Sequence, residues 1–231
     1  MKILGLIPAR GGSKGIPNKN RKELGGKPLL QYTIEAALGA TLLDAVVFSS
    51  EDTVLRDLAQ NMGASVPFNR PEALATDAAG SLEVVQHALE ELGNNGQNFD
   101  AVCLLQVTTP FRSSEDIDAA ISKFKSEGSD SLISVQKVPH QFNPHWVFEA
   151  SGGKLKIATG EDHIIKRRQE LPGAFIRDGA IYITKTEVLQ KQNSFFGTTI
   201  SHIELDAKRL VNIDTEEDWE KAELIYKKLY F

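Results

Sequence analysis

The chain has 231 residues, 41% of them hydrophobic and 25% charged, which is typical of a soluble globular protein with room for one α/β domain and a small subdomain at most. Its 26 Lys and Arg against 31 Asp and Glu give a net charge of −5, which argues against a broad basic surface for nucleic acid but leaves room for a local positive pocket.

The cysteine content and the hydropathy bear on the cellular compartment in which the protein is expected. Cys103 is the single cysteine, so an intramolecular disulfide is excluded and a reducing environment is expected. No apolar run approaches the length of a membrane span, and Met1 leads into the first strand without a signal peptide. We therefore expect a cytoplasmic protein.

The stretch that follows the first apolar run carries the strongest local signal. Residues 3–7 predict a buried strand, and residues 29–38 predict a helix with apolar positions on one face. The loop between them contains three glycines and three cations: Gly11, Gly12, Gly15, Arg10, Lys14 and Lys19. A strand, a basic glycine-rich loop and a helix in succession suit the binding of phosphates, although the loop lacks the Walker A spacing. An ordinary solvated turn is the alternative, and the density of cations favours a polyanion.

The next third of the chain alternates strands, helices and polar loops. Residues 45–49 predict a second strand, followed by a helix over residues 53–62 with Ser49 and Asp52 at capping-box spacing. A third strand is predicted to begin at residues 63–66. Residues 69–77 lack periodicity and predict a loop, which places Arg70 and Asp77 near a strand end. Ser81 opens the next predicted helix, whose buried face carries Leu82, Val85, Leu89 and Leu92, with His87 expected to face solvent.

The centre of the chain predicts the middle of a sheet. Residues 101–105 are continuously apolar, as expected of a strand covered on both faces. Gln106 and Thr108 follow that strand at its carboxyl end, where ligands bind in open α/β sheets. The next helix is predicted to be capped by Ser113 and Asp116, with a buried stripe formed by Ile117, Ala120, Ile121 and Phe124.

Residues 137–175 contain no long amphipathic helix. An excursion of this length is usually functional or an interaction surface. Its histidines lack the close spacing of a metal site, so we interpret them as non-ligands. The basic cluster at residues 166–168 is either a solvated turn or a site for an anionic group.

Near the end of the chain, a short strand is predicted to reach Ile213, with a helix beginning after Thr215. Thr215 and Asp218 form a capping box, so the carboxylate of Asp214 is not needed to cap the helix. It is either a helix-start acid worth about 0.3–1 kcal/mol or a ligand for Mg²⁺.

Five separated motifs resemble one family. They lie at residues 7–20, 70–77, 104–112, 168–183 and 212–214, and they resemble the acylneuraminate cytidylyltransferases (CMP-sialic acid synthetases), including the enzymes for legionaminic and pseudaminic acids. The resemblance implies a single three-layer α/β/α domain over residues 1–231, with a mostly parallel, Rossmann-like sheet of the nucleotide-diphospho-sugar transferase type. It also implies an extended dimerisation arm at residues 137–183 that lends groups to the sugar site of a second subunit.

The implied reaction is transfer of CMP from CTP to the anomeric hydroxyl of a nine-carbon 2-keto sugar acid, with release of pyrophosphate and with Mg²⁺ as cofactor. Catalytic roles fall on Asp214, Lys19 and Arg10, and the metal on Asp214 and Asn212. The residues expected to bind CTP are Arg10, Gly12, Ser13, Lys19, Asn20, Arg70 and Ser81. Ser81 would serve equally well as a helix N-cap. The residues expected to face the sugar are Gln106, Thr108, Arg168, Asp178 and Tyr182, with Arg168 suited to a carboxylate.

Two positions depart from the family pattern. Asp178 stands where the family usually has Asn, which indicates a sugar with a different substituent. Asn212 replaces the first of two metal-binding aspartates, as in the related enzymes that activate the eight-carbon acid KDO. A KDO cytidylyltransferase and a nucleotide-binding protein without catalysis are therefore the two alternatives.

Overall fold

The computed structural model describes residues 1–231. These form two units, a larger one of Met1–Ser134 with Asp178–Phe231 and a smaller one of Val135–Arg177. The strands, in chain order, are β1 Ile3–Pro8, β2 Glu23–Leu24, β3 Lys27–Pro28, β4 Ala45–Ser49, β5 Ala101–Leu104, β6 Ser131–Lys137, β7 Phe148–Ser151, β8 Lys154–Ile157, β9 Phe175–Lys185 and β10 Ile200–Glu204. The α-helices are α1 Leu29–Gly39, α2 Thr53–Asn61, α3 Ser81–Asn94, α4 Ser114–Glu127, α5 Thr186–Lys191 and α6 Glu216–Tyr230.

A six-stranded sheet in the order β10-β6-β9-β5-β1-β4 forms the centre of the fold. The strand β1 pairs in parallel with β4 and with β5, so Leu6 lies opposite Val47 on one side and Leu104 on the other. The strand β9 is antiparallel to β5. The carboxyl ends of β1, β4 and β5 therefore meet at one edge of the sheet, as in other open α/β folds.

Both faces of the sheet are covered, which confirms the predicted three layers. Along β1, Ile3 and Ile7 pack into one hydrophobic cluster, while Leu4 and Leu6 pack into another, as the alternation of side chains along a strand requires. The first cluster includes residues of α1, α2, α4 and α6, and the second includes residues of α3 and α5. Cys103 is fully buried, as predicted.

The helix α4 matches its predicted start and its predicted stripe. Ser113 accepts a hydrogen bond from the Asp116 N–H, and Asp116 accepts one from the Ser113 N–H. The buried residues of the helix are Ile117, Ala120, Ile121 and Phe124. The second predicted capping box, Thr215 with Asp218 at α6, is also present.

Several local predictions were wrong. Residues 63–66 form a single bridge, Val47 with Ser65, rather than a strand. The segment before α6 is not a strand: the Ile213 N–H donates to the Thr108 carbonyl at 2.8 Å, and the Ile213 carbonyl accepts from the Lys19 ammonium rather than from a neighbouring strand. The helix α2 is capped by the side chain of Asp52, which accepts from the Leu55 N–H, without Ser49.

Three further corrections concern α3. Gly80 is its N-cap, so Ser81 is the first helical residue and caps nothing. His87, which the sequence places on the exposed face, is largely buried, and its ring contacts Phe68 edge-on at 5.3 Å. The buried stripe is wider than the predicted one, because Val84 and Ala88 belong to it.

Asp130, in the turn between α4 and β6, attaches that turn to the residues that precede β10. Asp130 accepts hydrogen bonds from the Thr198 hydroxyl and from the N–H groups of Thr198 and Thr199. These bonds, with the Lys185 ammonium, lower the pKa of Asp130 far below its usual range.

The smaller unit consists of the hairpin β7–β8 and short 3₁₀ turns, without a long helix. Asn143 donates to the Pro172 carbonyl at 2.9 Å, and the Trp146 indole donates to the Ile165 carbonyl at 2.6 Å. Several large apolar side chains are exposed on it, including Phe142, Phe148 and Leu155. In the chain as a whole, none of the helices combines the length and apolar character that crossing a bilayer requires.

Candidate functional site

A cavity of about 590 Å³ opens at the carboxyl edge of the sheet. Four segments of the larger unit line it: the glycine-rich loop after β1, the segment before α3, the residues after β5, and Asp214. Of the residues expected at a ligand site, the cavity is lined by Arg10, Ser13, Lys19, Asn20, Arg70, Ser81, Gln106, Thr108 and Asp214. The sequence motifs thus converge on one concave surface.

The glycine-rich loop is tied down at its beginning and at its end. The Ala9 N–H donates to the Ser49 carbonyl at 3.0 Å, and the Asn20 amide donates to the Arg10 carbonyl at 2.8 Å. A side chain at Gly15 would meet the backbone oxygen of Asp214 at 2.1 Å. Glycine at this position therefore allows the loop and the start of α6 to approach each other closely.

Lys19 is the cation at the base of the cavity, and only 9% of it is exposed. Its Nζ donates to the Ile213 carbonyl at 2.5 Å and to Asp214 Oδ1 at 3.0 Å. The Asn212 amide donates to Asp214 Oδ2 at 2.6 Å. The carboxylate of Asp214 is 60% exposed, so it is held in place and still open to a ligand.

Arg70 and Glu51 brace the start of the loop from the side of β4. Arg70 is 5% exposed and donates to the Ala9 carbonyl at 2.8 Å and to Glu51 Oε2 at 2.5 Å. The other carboxylate oxygen, Glu51 Oε1, accepts from the Gly11 N–H at 2.7 Å. Glu51 was missed in the sequence, where it is one acid among several at a strand end.

The two outer cations of the loop share one carboxylate. Asp77 lies 2.8 Å from the Arg10 guanidinium and 2.5 Å from the Lys14 ammonium, and Lys14 also lines the cavity. Hydrogen bonds from Lys14 and Arg10 lower the pKa of Asp77 below its usual value.

The segment after β5 is fixed by a buried arginine. Arg112 donates to the Gln106 carbonyl and to the Thr33 hydroxyl, and it is 3% exposed. Burial lowers the pKa of this guanidinium to about 10. Gln106 and Thr108 therefore reach the cavity from a backbone whose carbonyls accept hydrogen bonds from Arg112 and from the Ile213 N–H.

Five of the expected residues lie outside the lining of this cavity. One of them, Asn212, contacts the cavity residue Asp214 through its amide. Gly12 is exposed, and a Cβ added to it would meet no atom within 4 Å. Asp178 accepts from the Ser134 hydroxyl and from the Ala180 N–H, the latter at 2.9 Å. Tyr182 is 7% exposed and packs in the second core cluster, its ring centroid 6.3 Å from that of Phe195. Arg168 belongs to the smaller unit, where it opens an exposed 3₁₀ turn.

The chain contains no group of three or more His, Cys, Asp or Glu side chains arranged for a metal ion. The oxygen donors near Asp214 nevertheless fit Mg²⁺, which is commonly held by one or two carboxylates together with phosphate oxygens and water. The Asn212 amide uses its nitrogen on Asp214, so its oxygen is not consumed by that bond.

Comparison with known proteins places this architecture. Residues 4–230 match the family described as Cytidylyltransferase, so the chain belongs to the cytidylyltransferases, a family of nucleotidyltransferases.

Three relatives, two of them of similar length to this chain, carry names that specify a sugar acid. The chain is 35% identical to a pseudaminic acid cytidylyltransferase of Campylobacter jejuni, over 98% of this chain and 97% of that one. It is 34% identical to a CMP-N,N'-diacetyllegionaminic acid synthase of Legionella pneumophila, over 96% and 95%. An N-acylneuraminate cytidylyltransferase of Streptococcus agalactiae is 31% identical over 95% of this chain and 52% of its own length.

Among solved structures, a CMP:2-keto-3-deoxy-manno-octonic acid synthetase complexed with CTP superposes with a TM-score of 0.75, covering 99% of this chain and 100% of that one. The sequence identity is 17%, so this likeness concerns the fold alone.

Proposed function

We propose that the protein transfers CMP from CTP to the anomeric hydroxyl of a nine-carbon 2-keto sugar acid and releases pyrophosphate. The observation that carries the proposal is the convergence of the loop cations with Asp214 at one cavity, where Lys19 lies 3.0 Å from the carboxylate. Full-length similarity to enzymes named for pseudaminic and legionaminic acids supports the substrate class.

The chemistry needs positioning and charge neutralisation more than covalent participation by the protein. The sugar oxygen forms a bond to the α-phosphorus and its proton passes to solvent water, while the bond from that phosphorus to the bridging oxygen breaks and its electron pair leaves with pyrophosphate. Arg10 and Lys19 oppose the negative charge on the phosphates. Asn20 holds the loop through the Arg10 carbonyl, and Ser13 lines the cavity beside it. Gly12 would bring its backbone close to the phosphates, and Arg70 and Ser81 would face the nucleoside.

Mg²⁺ is the proposed cofactor, with Asp214 as its principal protein ligand and Asn212 as a second oxygen donor. A bound divalent ion neutralises phosphate oxygens and polarises the attacking hydroxyl. The ion pair with Lys19 orients the Asp214 carboxylate before a ligand arrives.

On the sugar side, Gln106 and Thr108 reach the cavity from the segment after β5. Arg168, Asp178 and Tyr182 remain predictions from the resemblance. We propose a homodimer in which the smaller unit lends Arg168 to the sugar site of a second subunit. The exposed apolar side chains of that unit, Phe148 and Leu155 among them, supply an interface of suitable character. Phe148→Asp with Leu155→Asp should convert the dimer to monomer in light-scattering chromatography, and an unchanged mass would contradict this interface.

The decisive assay is pyrophosphate release from CTP and Mg²⁺ with a panel of pseudaminic, legionaminic, N-acetylneuraminic and KDO acids. Preference for one nine-carbon acid is the expected result. Preference for KDO supports the nearer alternative, and CTP binding without turnover on any acid supports a non-catalytic protein. Since CTP is a cytoplasmic metabolite, the proposal also implies a cytoplasmic location.

Asp214→Ala tests the metal assignment within that assay. Loss of a metal ligand should lower kcat roughly a hundredfold or more, because metal ions contribute several kcal/mol of charge stabilisation. Asp206→Ala is the matched control, since Asp206 is a nearby acid outside the cavity lining that caps a short 3₁₀ turn and lies 3.8 Å from Arg209. A near-normal rate for Asp214→Ala would refute the assignment. Lys19→Glu should raise the KM for CTP.

A further inference from the structure

Asp77 bridges the two outer cations of the glycine-rich loop. Its Oδ1 lies 2.8 Å from the Arg10 guanidinium, and its Oδ2 lies 2.5 Å from the Lys14 ammonium. One anionic group thus contacts two cations through two different oxygens, which is how a phosphate group would engage the same pair. All three side chains line the cavity.

This bridge does not come from burial. The Lys14 side chain is 81% exposed, that of Asp77 46% and that of Arg10 34%. Ion pairs with this exposure contribute little to stability and are readily exchanged for another anion. Lys19, by contrast, is held at the base of the cavity by the Ile213 carbonyl and Asp214. Arg10 and Lys14 are therefore the cations from which an anionic ligand can displace the present partner at a small cost in free energy.

Building on the proposed function, we propose that Asp77 occupies the place of a phosphate group in the ligand-free protein, and that the triphosphate of CTP binds by displacing it from Arg10 and Lys14. Asp77 is then a competitor that lowers the affinity of the loop for polyphosphates. A polyphosphate must displace it from the two cations, whereas a ligand without phosphates does not meet it. When pyrophosphate leaves, the carboxylate returns to the same cations.

Competition makes a prediction that other roles of Asp77 do not make. A residue that contacts the nucleoside would, when replaced, weaken cytidine and CTP alike. A residue that only holds the loop in shape would, when replaced, weaken every ligand of the loop. A competitor, when neutralised, strengthens the binding of polyphosphates and leaves cytidine unchanged.

Calorimetric titration of Asp77→Asn with CTP, inorganic tripolyphosphate and cytidine separates these cases. The affinities for CTP and tripolyphosphate should each rise about two- to tenfold, since two exposed ion pairs no longer have to be broken, while the affinity for cytidine stays constant. Asp77→Ala should give the same gain. Glu72→Gln is the matched control, because it removes one exposed negative charge from the same segment without touching either cation.

A double-mutant cycle shows whether the effect passes through the cations. In a Lys14→Gln background, the gain from Asp77→Asn should shrink, because one of the two ion pairs is already absent.

Unchanged or weaker polyphosphate binding by both Asp77 variants would overturn the inference, as would a gain equal to that of Glu72→Gln. A wild-type protein that binds tripolyphosphate without preferring CTP would refute the proposed function. The ratio of the tripolyphosphate affinities of Asp77→Asn and wild type would still decide this inference. Failure of the wild-type protein to bind either polyphosphate would refute both.

Discussion

Replacing Glu51 by glutamine removes the charge that holds the start of the glycine-rich loop. The Glu51 carboxylate accepts from the Gly11 N–H at 2.7 Å with one oxygen and from Arg70 at 2.5 Å with the other. Glutamine keeps the shape but offers one acceptor oxygen and one NH₂ donor, so it can satisfy only one of these two donors. Arg70, whose side chain is 4% exposed, would remain buried without its counter-charge.

The expected cost follows from burial. A hydrogen bond to a charged group contributes about 1.5–3 kcal/mol, and breaking a fully buried pair costs about 3–5 kcal/mol. The Glu51 side chain is 16% exposed, so we expect a loss of about 2–4 kcal/mol in the free energy of unfolding. For a chain of this size, that corresponds to a fall in Tm on the order of 10 °C.

Urea denaturation and calorimetric titration with CTP would test this reasoning, with Glu72→Gln as the exposed control. The Glu51→Gln protein should be less stable and should also bind CTP more weakly, because Gly11 and Ala9 begin the loop that we assign to the phosphates. A stability within about 0.5 kcal/mol of the control, the range usual for surface substitutions, would refute the account of the brace.

Three further predictions concern other parts of the larger unit. Ser113→Ala and Thr215→Ala remove equivalent helix caps, and each should lower the free energy of unfolding by about 1 kcal/mol in urea denaturation. Only Thr215→Ala should also slow CMP transfer, because α6 begins beside Asp214; equal CMP-transfer rates for the two variants would contradict this. Burial raises the pKa of the Cys103 thiol to about 12, so a thiol reagent at pH 8 should label one equivalent after unfolding and none before, and labelling of the native protein would contradict the packing. The pKa of Asp130 is lowered by its threonine donors, so Asp130 stabilises the folded protein fully above the ordinary aspartate pKa of about 4 and loses this contribution as the pH falls below it. The difference in urea midpoint between wild type and Asp130→Asn should be constant from pH 7 to about 5 and should narrow towards pH 3. A difference that does not change with pH would contradict this.

Elements specified by local pattern were predictable from the sequence. The apolar run of β1 and the apolar stripe of α4 need only the periodicity of their own residues, and the capping boxes at Ser113 and Thr215 need only a spacing of three. The candidate site was predictable to the extent that its residues sit in contiguous motifs. Arg10, Lys19 and Asp214 do converge, although 195 positions separate the last two.

The remainder depends on partners that meet only through the fold. Glu51 and Asp77 are ordinary acids in the sequence, and their significance comes from Arg70, Arg10 and Lys14, each of which reaches them from a distant segment. Short strands were overpredicted for a related reason. Two segments, residues 63–66 and the one ending at Ile213, are apolar enough for a sheet. The first forms only an isolated bridge to β4, and the second pairs with the segment after β5 through a single backbone–backbone hydrogen bond.

The contacts of Lys19 have a consequence for the order in which the chain folds and gains its binding site. Its ammonium is satisfied by the Ile213 carbonyl and by Asp214, which are made 194 and 195 residues later in the chain. During synthesis or refolding, the first strand and its loop can form early, but this cation stays without its partners until the last helix docks. Contacts of such long range form slowly, since the entropy of closing the intervening chain must be offset first. We therefore expect nucleotide binding to be the last property that a refolding chain regains, so that a molecule able to hold its substrate has completed its topology.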